Sequence, residues 1–407
     1  MTSTVAFNPF KIPLYLMVKP AGAHCNLHCD YCYYIEKKKY YENVLSCRMS
    51  DELLERFIKE YIEAQPVPDV LFTWHGGETL LRDISFYKRV VLLQKRYGKG
   101  RNISNSLQTN GTLLNDEWCK FFRDNNFLIG ISIDGPEHCH DKYRKRNDGN
   151  GSFRQVMRGI ELLQHYSVEF NTLSVINDYN TDYPVEIYNF LKGIGSRFLQ
   201  FSPIVERITK NEKQTLQLPE SKNGTLAPWS VDPIKFGNFY IKMFDEWVKN
   251  DVGNIFVQLF DATLACWVGV SPGVCIFSET CGHAGVMEFN GDVYSCDHYV
   301  FPQYKLGNIY TTPLLSMMLS KKQLEFGQNK YTKLPMQCKS CEYIKLCNGE
   351  CPKNRISVTS SGEKGLNYLC KGYKMYFRHV APYMAYMANE LSHQRLPSNV
   401  MKWAKNK

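Results

Sequence analysis

The run His24-Cys25-Asn26-Leu27-His28-Cys29-Asp30-Tyr31-Cys32-Tyr33-Tyr34 decides how the rest of the chain is read. Its three cysteines lie just past a short apolar stretch, with no fourth cysteine close by. Thiolates favour soft metals and iron–sulfur clusters, and a 4Fe–4S cube has four irons to ligate. Three thiolates therefore leave one iron open, and an open position separates a catalytic metal centre from a closed structural one. Half of a structural zinc site, completed by His24 or His28, is the competing reading of the spacing.

Outward from this run, residues 1 to about 205 alternate between short strand-like and amphipathic helical patterns. The expected strands are Pro13–Val18, Val70–Trp74, Ile103–Thr109, Leu128–Ile133, Glu169–Ile176 and Phe198–Ser202, rich in β-branched, aromatic and leucine residues. Between them, Ser50 can cap a helix that puts Leu53, Leu54, Phe57, Ile58, Tyr61 and Ile62 on one face, and Asn115 can cap another. Helices are also expected over Ile84–Tyr97, Ser152–Tyr166 and Tyr183–Leu191. Such alternation implies a parallel sheet with right-handed crossovers, with chemistry gathered at the carboxyl ends of the strands. The cysteine run falls in the loop after the first strand. Further on, Glu220–Gly224 reads as an exposed loop, followed by a helix over Pro233–Lys249 and a strand near Ile255–Phe260.

Cys-x3-Cys-x2-Cys with an aromatic residue before the last cysteine resembles the signature of the radical S-adenosylmethionine (SAM) superfamily, Tyr31 taking the aromatic place. The resemblance implies an α/β fold with a partial, six-unit β/α barrel, and an open iron that binds the amino and carboxylate groups of SAM. On reduction SAM yields a 5′-deoxyadenosyl radical. In His75-Gly76-Gly77-Glu78 the resemblance carries Gly77 and Glu78 over to the SAM amino group, although members often have glutamine where this chain has His75. The polar strand ends Asn105–Gly111 and Ser132–Pro136 can hold a hydrogen-bonding ligand. By resemblance Ser132 contacts the ribose or methionine carboxylate, Arg144 pairs with that carboxylate, and Val205 and Tyr34 lie near the adenine and SAM respectively.

A second cysteine array follows: Cys275, Cys281, Cys296, Cys338, Cys341, Cys347, Cys351 and Cys370. Eight thiolates fit two fully ligated 4Fe–4S clusters with none left over, whereas a zinc site would use four. The spacing resembles the SPASM extension of peptide-modifying radical SAM enzymes. That resemblance implies crossed ligation, with Cys275, Cys281, Cys296 and Cys351 on one auxiliary cluster and Cys338, Cys341, Cys347 and Cys370 on the other. With the first cluster this makes three 4Fe–4S clusters. The implied division is a barrel over 1–232, a linking helix and strand over 233–265, the SPASM domain over 266–380 and a helical tail over 381–407.

Within that group the chain is most similar to the anaerobic sulfatase-maturating enzymes, through Ser106–Gly111, Asp134–Pro136, Phe198–Phe201 and Tyr294-Ser295-Cys296-Asp297. The resemblance implies oxidation of a sulfatase cysteine or serine to Cα-formylglycine, on an unfolded or nascent sulfatase polypeptide. It also implies an electron donor such as flavodoxin or ferredoxin. Asp297 matches the base of that reaction; a carboxylate, with a reference pKa of about 4, is ionised at neutral pH and ready to accept a proton. Another SPASM peptide modifier, forming a thioether or other crosslink, is the runner-up. The dozen or so residues ahead of the first strand are too few for the winged-helix recognition domain such enzymes often carry.

Composition sets the remaining bounds. With 407 residues, 44% of them hydrophobic, the chain can bury a large core. Its apolar runs are too short to span a bilayer and its start lacks a signal-peptide pattern, so a cytoplasmic protein with no membrane partner is expected. Fifteen cysteines in a reducing compartment then point to metal or redox chemistry rather than disulfides. The net charge of +9 is spread along the chain without a nucleic-acid motif, which reads as a solvated surface and not a nucleic-acid site.

Overall fold

A computed structural model describes residues 13–42, 47–209 and 224–406. Six parallel strands run side by side in chain order: β1 (Tyr15–Lys19), β2 (Asp69–Trp74), β3 (Asn102–Thr109), β4 (Phe127–Ser132), β5 (Phe170–Ile176) and β6 (Phe198–Pro203). All six stand within a residue or two of the expected positions. The intervening helices Asp51–Glu63, Ile84–Tyr97, Asp116–Asp124, Phe153–His165 and Pro184–Gly193 return the chain across one side. Ser50 and Asn115 cap as expected: their side chains accept the backbone N–H of Leu53 and Trp118. The helix faces bury against alternate strand residues; Phe57, Phe72 and Trp74 pack ring to ring in this layer.

The sheet does not stop at the barrel. Ala284–Glu288 pairs parallel with β1, setting Lys19 opposite Glu288, and Asp292–Tyr294 and Lys305–Asn308 continue it antiparallel. Phe256–Val257 extends the other edge beside β6, giving ten strands. The strand expected over Ile255–Phe260 is confined to these two residues, because a helix, Gln258–Trp267, starts immediately after them. Leu259, Phe260, Ala262 and Thr263 are buried at helical spacing, and a short apolar run cannot be assigned to strand or helix by periodicity alone. The helices Pro233–Asn250 and Cys370–Ser392 pack against each other, and the boundary expected at 380/381 falls inside the second. Glu220–Asn223 lies outside the described residues. No helix among the described residues is long and apolar enough to cross a membrane.

Candidate active site

A cavity opens at the carboxyl ends of the strands. Its wall includes Cys25, Cys29, Cys32 and Tyr34 from the loop after β1, His75, Gly76 and Gly77 after β2, Gln108–Asn110 at the end of β3, Ser132 at the end of β4, and Arg144. The β1 loop is shaped for thiolates: the Leu27 N–H points at Cys25 Sγ (3.3 Å) and Asn110 Nδ2 approaches the same sulfur (3.7 Å). Gly77 is required by contact, since a Cβ there would lie 2.0 Å from the His24 carbonyl oxygen. That closeness lets Gly77 and Glu78 donate their N–H groups to Gly22 and His24, tying the two loops together.

Glu78 and Val205 do not line this cavity. Glu78 is buried, and its carboxylate is committed to the N–H groups of Leu80 and Asn110 and the Thr109 hydroxyl, so it braces the cavity wall without lining it. Val205 packs into the main core and is not part of the wall. Ser132 lines the cavity and accepts from Gln108 Nε2 at 3.0 Å. Arg144 also lines it, paired with buried Asp134 at 3.0 Å, which in turn accepts from Tyr31 Oη and the Val175 N–H. Its Nε is buried with no partner, a donor left over for an anionic group such as a carboxylate in the cavity.

Asp297 follows Cys296 and stands beside this cavity through a buried network that the sequence did not flag. Lys19, at the end of β1 and fully buried, sets its ammonium 2.6 Å from Asp297 Oδ1 and 3.1 Å from Nδ1 of the wall residue His75. Because the Lys19 ammonium and the Gly76 N–H both face Nδ1, the imidazole carries its proton on Nε2. Burial, aided by the Lys19 charge, pushes the His75 pKa down to about 3, so the ring is neutral. At Asp297 burial opposes ionisation, but the Lys19 ammonium overrides it and holds the carboxyl well below the usual carboxylate range. Tyr33 donates its hydroxyl to the other Asp297 oxygen. Tyr34 donates to Glu288, its ring beneath Lys19, while burial raises the Glu288 pKa to about 7. Lys19, Tyr33 and Glu288 carry no motif; only the position of Lys19 at a strand's carboxyl end could have marked it.

The eight downstream cysteines form two neighbourhoods. Cys296 faces Cys351 and Cys275, and Cys281 faces Cys275. Cys338 faces Cys370 and Cys341, and Cys347 faces Cys370 and Cys338. None of the described cysteines is in a disulfide. Among the described residues no three His, Cys, Asp or Glu side chains converge on a point as the ligands of a single ion would. The two sets of four sulfurs have the donor chemistry of 4Fe–4S clusters. Cys47, Cys119, Cys139 and Cys266 stand outside both sets, and Cys119 and Cys139 are core residues.

Comparison with known proteins agrees with this geometry. Residues 20–191 match the Radical SAM superfamily and residues 281–342 the SPASM iron–sulfur cluster-binding domain. The chain is 58% identical to the serine-type anaerobic sulfatase-maturating enzyme of Bacteroides thetaiotaomicron, over 98% of this chain and 97% of that one. It is 33% identical to the cysteine-type enzyme of Clostridium perfringens, over 93% and 99%. The solved structure described as native anSMEcpe with bound AdoMet and Cp18Cys peptide superposes with a TM-score of 0.80 at 32% identity, over 93% of this chain and 100% of that one. The three-cysteine cavity, the cysteine-rich sheet extension and the full-length likeness agree: this chain belongs to the anaerobic sulfatase-maturating enzymes of the radical SAM superfamily.

Proposed function

We propose that this chain oxidises, without oxygen, the serine or cysteine of a sulfatase active-site segment to Cα-formylglycine, acting on an unfolded or nascent polypeptide. One observation carries the reading: Asp297, an ionised carboxylate, is joined through Lys19 to the His75 wall of the three-cysteine cavity. When bound, a 4Fe–4S cluster on Cys25, Cys29 and Cys32 and its SAM supply the radical that takes a hydrogen atom from the substrate Cβ. Arg144, Ser132, Gly77 and Tyr34 would form the wall against which SAM is held, with the Arg144 guanidinium pairing with its carboxylate.

Asp297 accepts the proton of the substrate hydroxyl or thiol. Lys19 keeps Asp297 charged and fixed for that step, and Tyr33 holds its second oxygen. A serine side chain becomes the aldehyde by giving up one hydrogen atom, one proton and one electron; a cysteine gives up the same to become a thioaldehyde, which water converts to the aldehyde with release of hydrogen sulfide. Cys275, Cys281, Cys296 and Cys351 would hold an auxiliary 4Fe–4S cluster, which would supply an electron acceptor. Cys338, Cys341, Cys347 and Cys370 hold a further cluster, three in all. A flavodoxin- or ferredoxin-type carrier in the cytoplasm supplies and removes electrons. The 58% likeness to a serine-type enzyme favours a serine target. Anaerobic incubation with paired serine and cysteine sulfatase peptides tests this: mass spectrometry should show the serine peptide losing two hydrogens. Turnover of neither peptide, with SAM still cleaved, would remove the sulfatase substrate.

A further inference from the structure

Lys330 is fully buried, and its ammonium donates to the carbonyls of Cys275 (2.5 Å), Ile276 (2.9 Å) and Ser278. Among the described residues no carboxylate forms an ion pair with it. Glu350, the carboxylate that faces it, is engaged by Asn354 and Asn367. Carbonyl dipoles solvate an ammonium but do not neutralise it, and a buried charge without a counter-charge is strongly unfavourable. Besides Glu350, the groups of opposite sign that face Lys330 would be the sulfurs of Cys281, Cys275 and Cys351 once they ligate as thiolates, three of the four in one set.

The helix that carries it, Lys321–Thr332, turns a buried stripe of Gln323, Gly327 and Lys330 toward this set. Gln323 Nε2 donates to the carbonyls of Gly282 (2.8 Å) and Ser295 (3.1 Å), next to Cys281 and Cys296. A Cβ on Gly327 would lie 2.2 Å from the Cys281 carbonyl oxygen. One helix face therefore braces the backbone of three of the four cysteines, and a single cation is buried in that face.

We propose that Lys330 is a fixed, buried counter-charge of the cluster held by Cys275, Cys281, Cys296 and Cys351, and that it raises that cluster's reduction potential. This rests on the reading that those cysteines hold a 4Fe–4S cluster. A cube with four thiolates is a net anion, and one-electron reduction adds another negative charge. A cation fixed beside it favours the reduced form and raises the potential.

The test is an anaerobic redox titration of the reconstituted full-length enzyme, followed by electron paramagnetic resonance, with iron counted in every sample. Added SAM identifies the signal of the open-iron cluster, and the auxiliary cluster away from Lys330 serves as an internal reference. Lys330→Gln should move one auxiliary midpoint to more negative potential and leave the other in place, while Lys330→Arg stays near the parent. Gln323→Met, which weakens the brace without changing charge, should leave both midpoints unmoved. Full iron with both midpoints unmoved in Lys330→Gln overturns the proposal, as does an equal shift in Gln323→Met. Should Lys330→Gln shed iron, retention decides. Lys330→Arg must then keep more iron than the neutral glutamine and methionine variants, and equal loss in all three overturns the counter-charge. A parent enzyme with no cluster on these cysteines would instead sink the reading beneath it.

Discussion

In the proposed mechanism the chemistry turns on the ion pair of Asp297 and Lys19. Asp297→Asn nearly conserves shape, so iron content and SAM cleavage should survive, while formylglycine formation falls by about 10²–10⁴, the usual contribution of a positioned base. Peptide mass against 5′-deoxyadenosine release measures the uncoupling; formylglycine at the parental rate would dismiss Asp297. Lys19→Met tests the charge behind it. Without the ammonium, the strongest counterweight to burial is gone and the Asp297 pKa rises. The ionised fraction then shrinks on the acidic side, by about tenfold per pK unit, and recovers as pH increases. The acidic limb of the pH–rate profile should therefore move to higher pH in Lys19→Met and stay put in Lys19→Arg. An unmoved limb would mean that Lys19 serves only packing.

Among the elements, the two loops at the head of β1 and β2 depend on one close contact. In Gly77→Ala the new Cβ would collide with backbone, the His24 carbonyl, and no side chain can swing away to relieve it. Overpacking of this kind typically costs about 1–3 kcal/mol, and here it displaces the loop that carries the cysteines. SAM affinity, measured by anaerobic calorimetry, should drop about tenfold or more; parental affinity would show that the wall tolerates the shift. Such loops were legible before the structure because function had concentrated unusual residues there: a cysteine triad, paired glycines, polar strand ends. The strands were legible because they are short runs with β-branched, aromatic and leucine residues, bounded by turn residues. Lys19, Glu288 and Lys330 were not, because each is a charged residue whose meaning comes from what surrounds it. A lysine in Gln328-Asn329-Lys330-Tyr331 reads as surface until the helix turns it toward sulfur. Ile255–Phe260 failed for the opposite reason, since its apolar run satisfies two periods equally.

At the scale of the molecule, one sheet joins the two cysteine regions proposed to hold iron. β1 leads directly into Cys25, and its ladder partner Ala284–Glu288 begins three residues after Cys281. The sites could therefore assemble as one cooperative unit or as separate ones. Two features argue for separation. The β1 ladder is held by backbone hydrogen bonds and by a core that includes Leu16, Val18 and Met287, none of which involves iron. The proximal auxiliary set has its own brace in Gln323, Gly327 and Lys330, and metal binding stabilises the segment that supplies its ligands. Replacing Cys25, Cys29 and Cys32 together with alanine should thus abolish SAM cleavage yet leave about two-thirds of the iron, as expected if two of three 4Fe–4S clusters persist. Near-complete iron loss would instead show that the shared sheet transmits the defect, making the clusters one folding unit. SAM cleavage persisting in the triple variant would overturn the assignment of the open cluster to these cysteines.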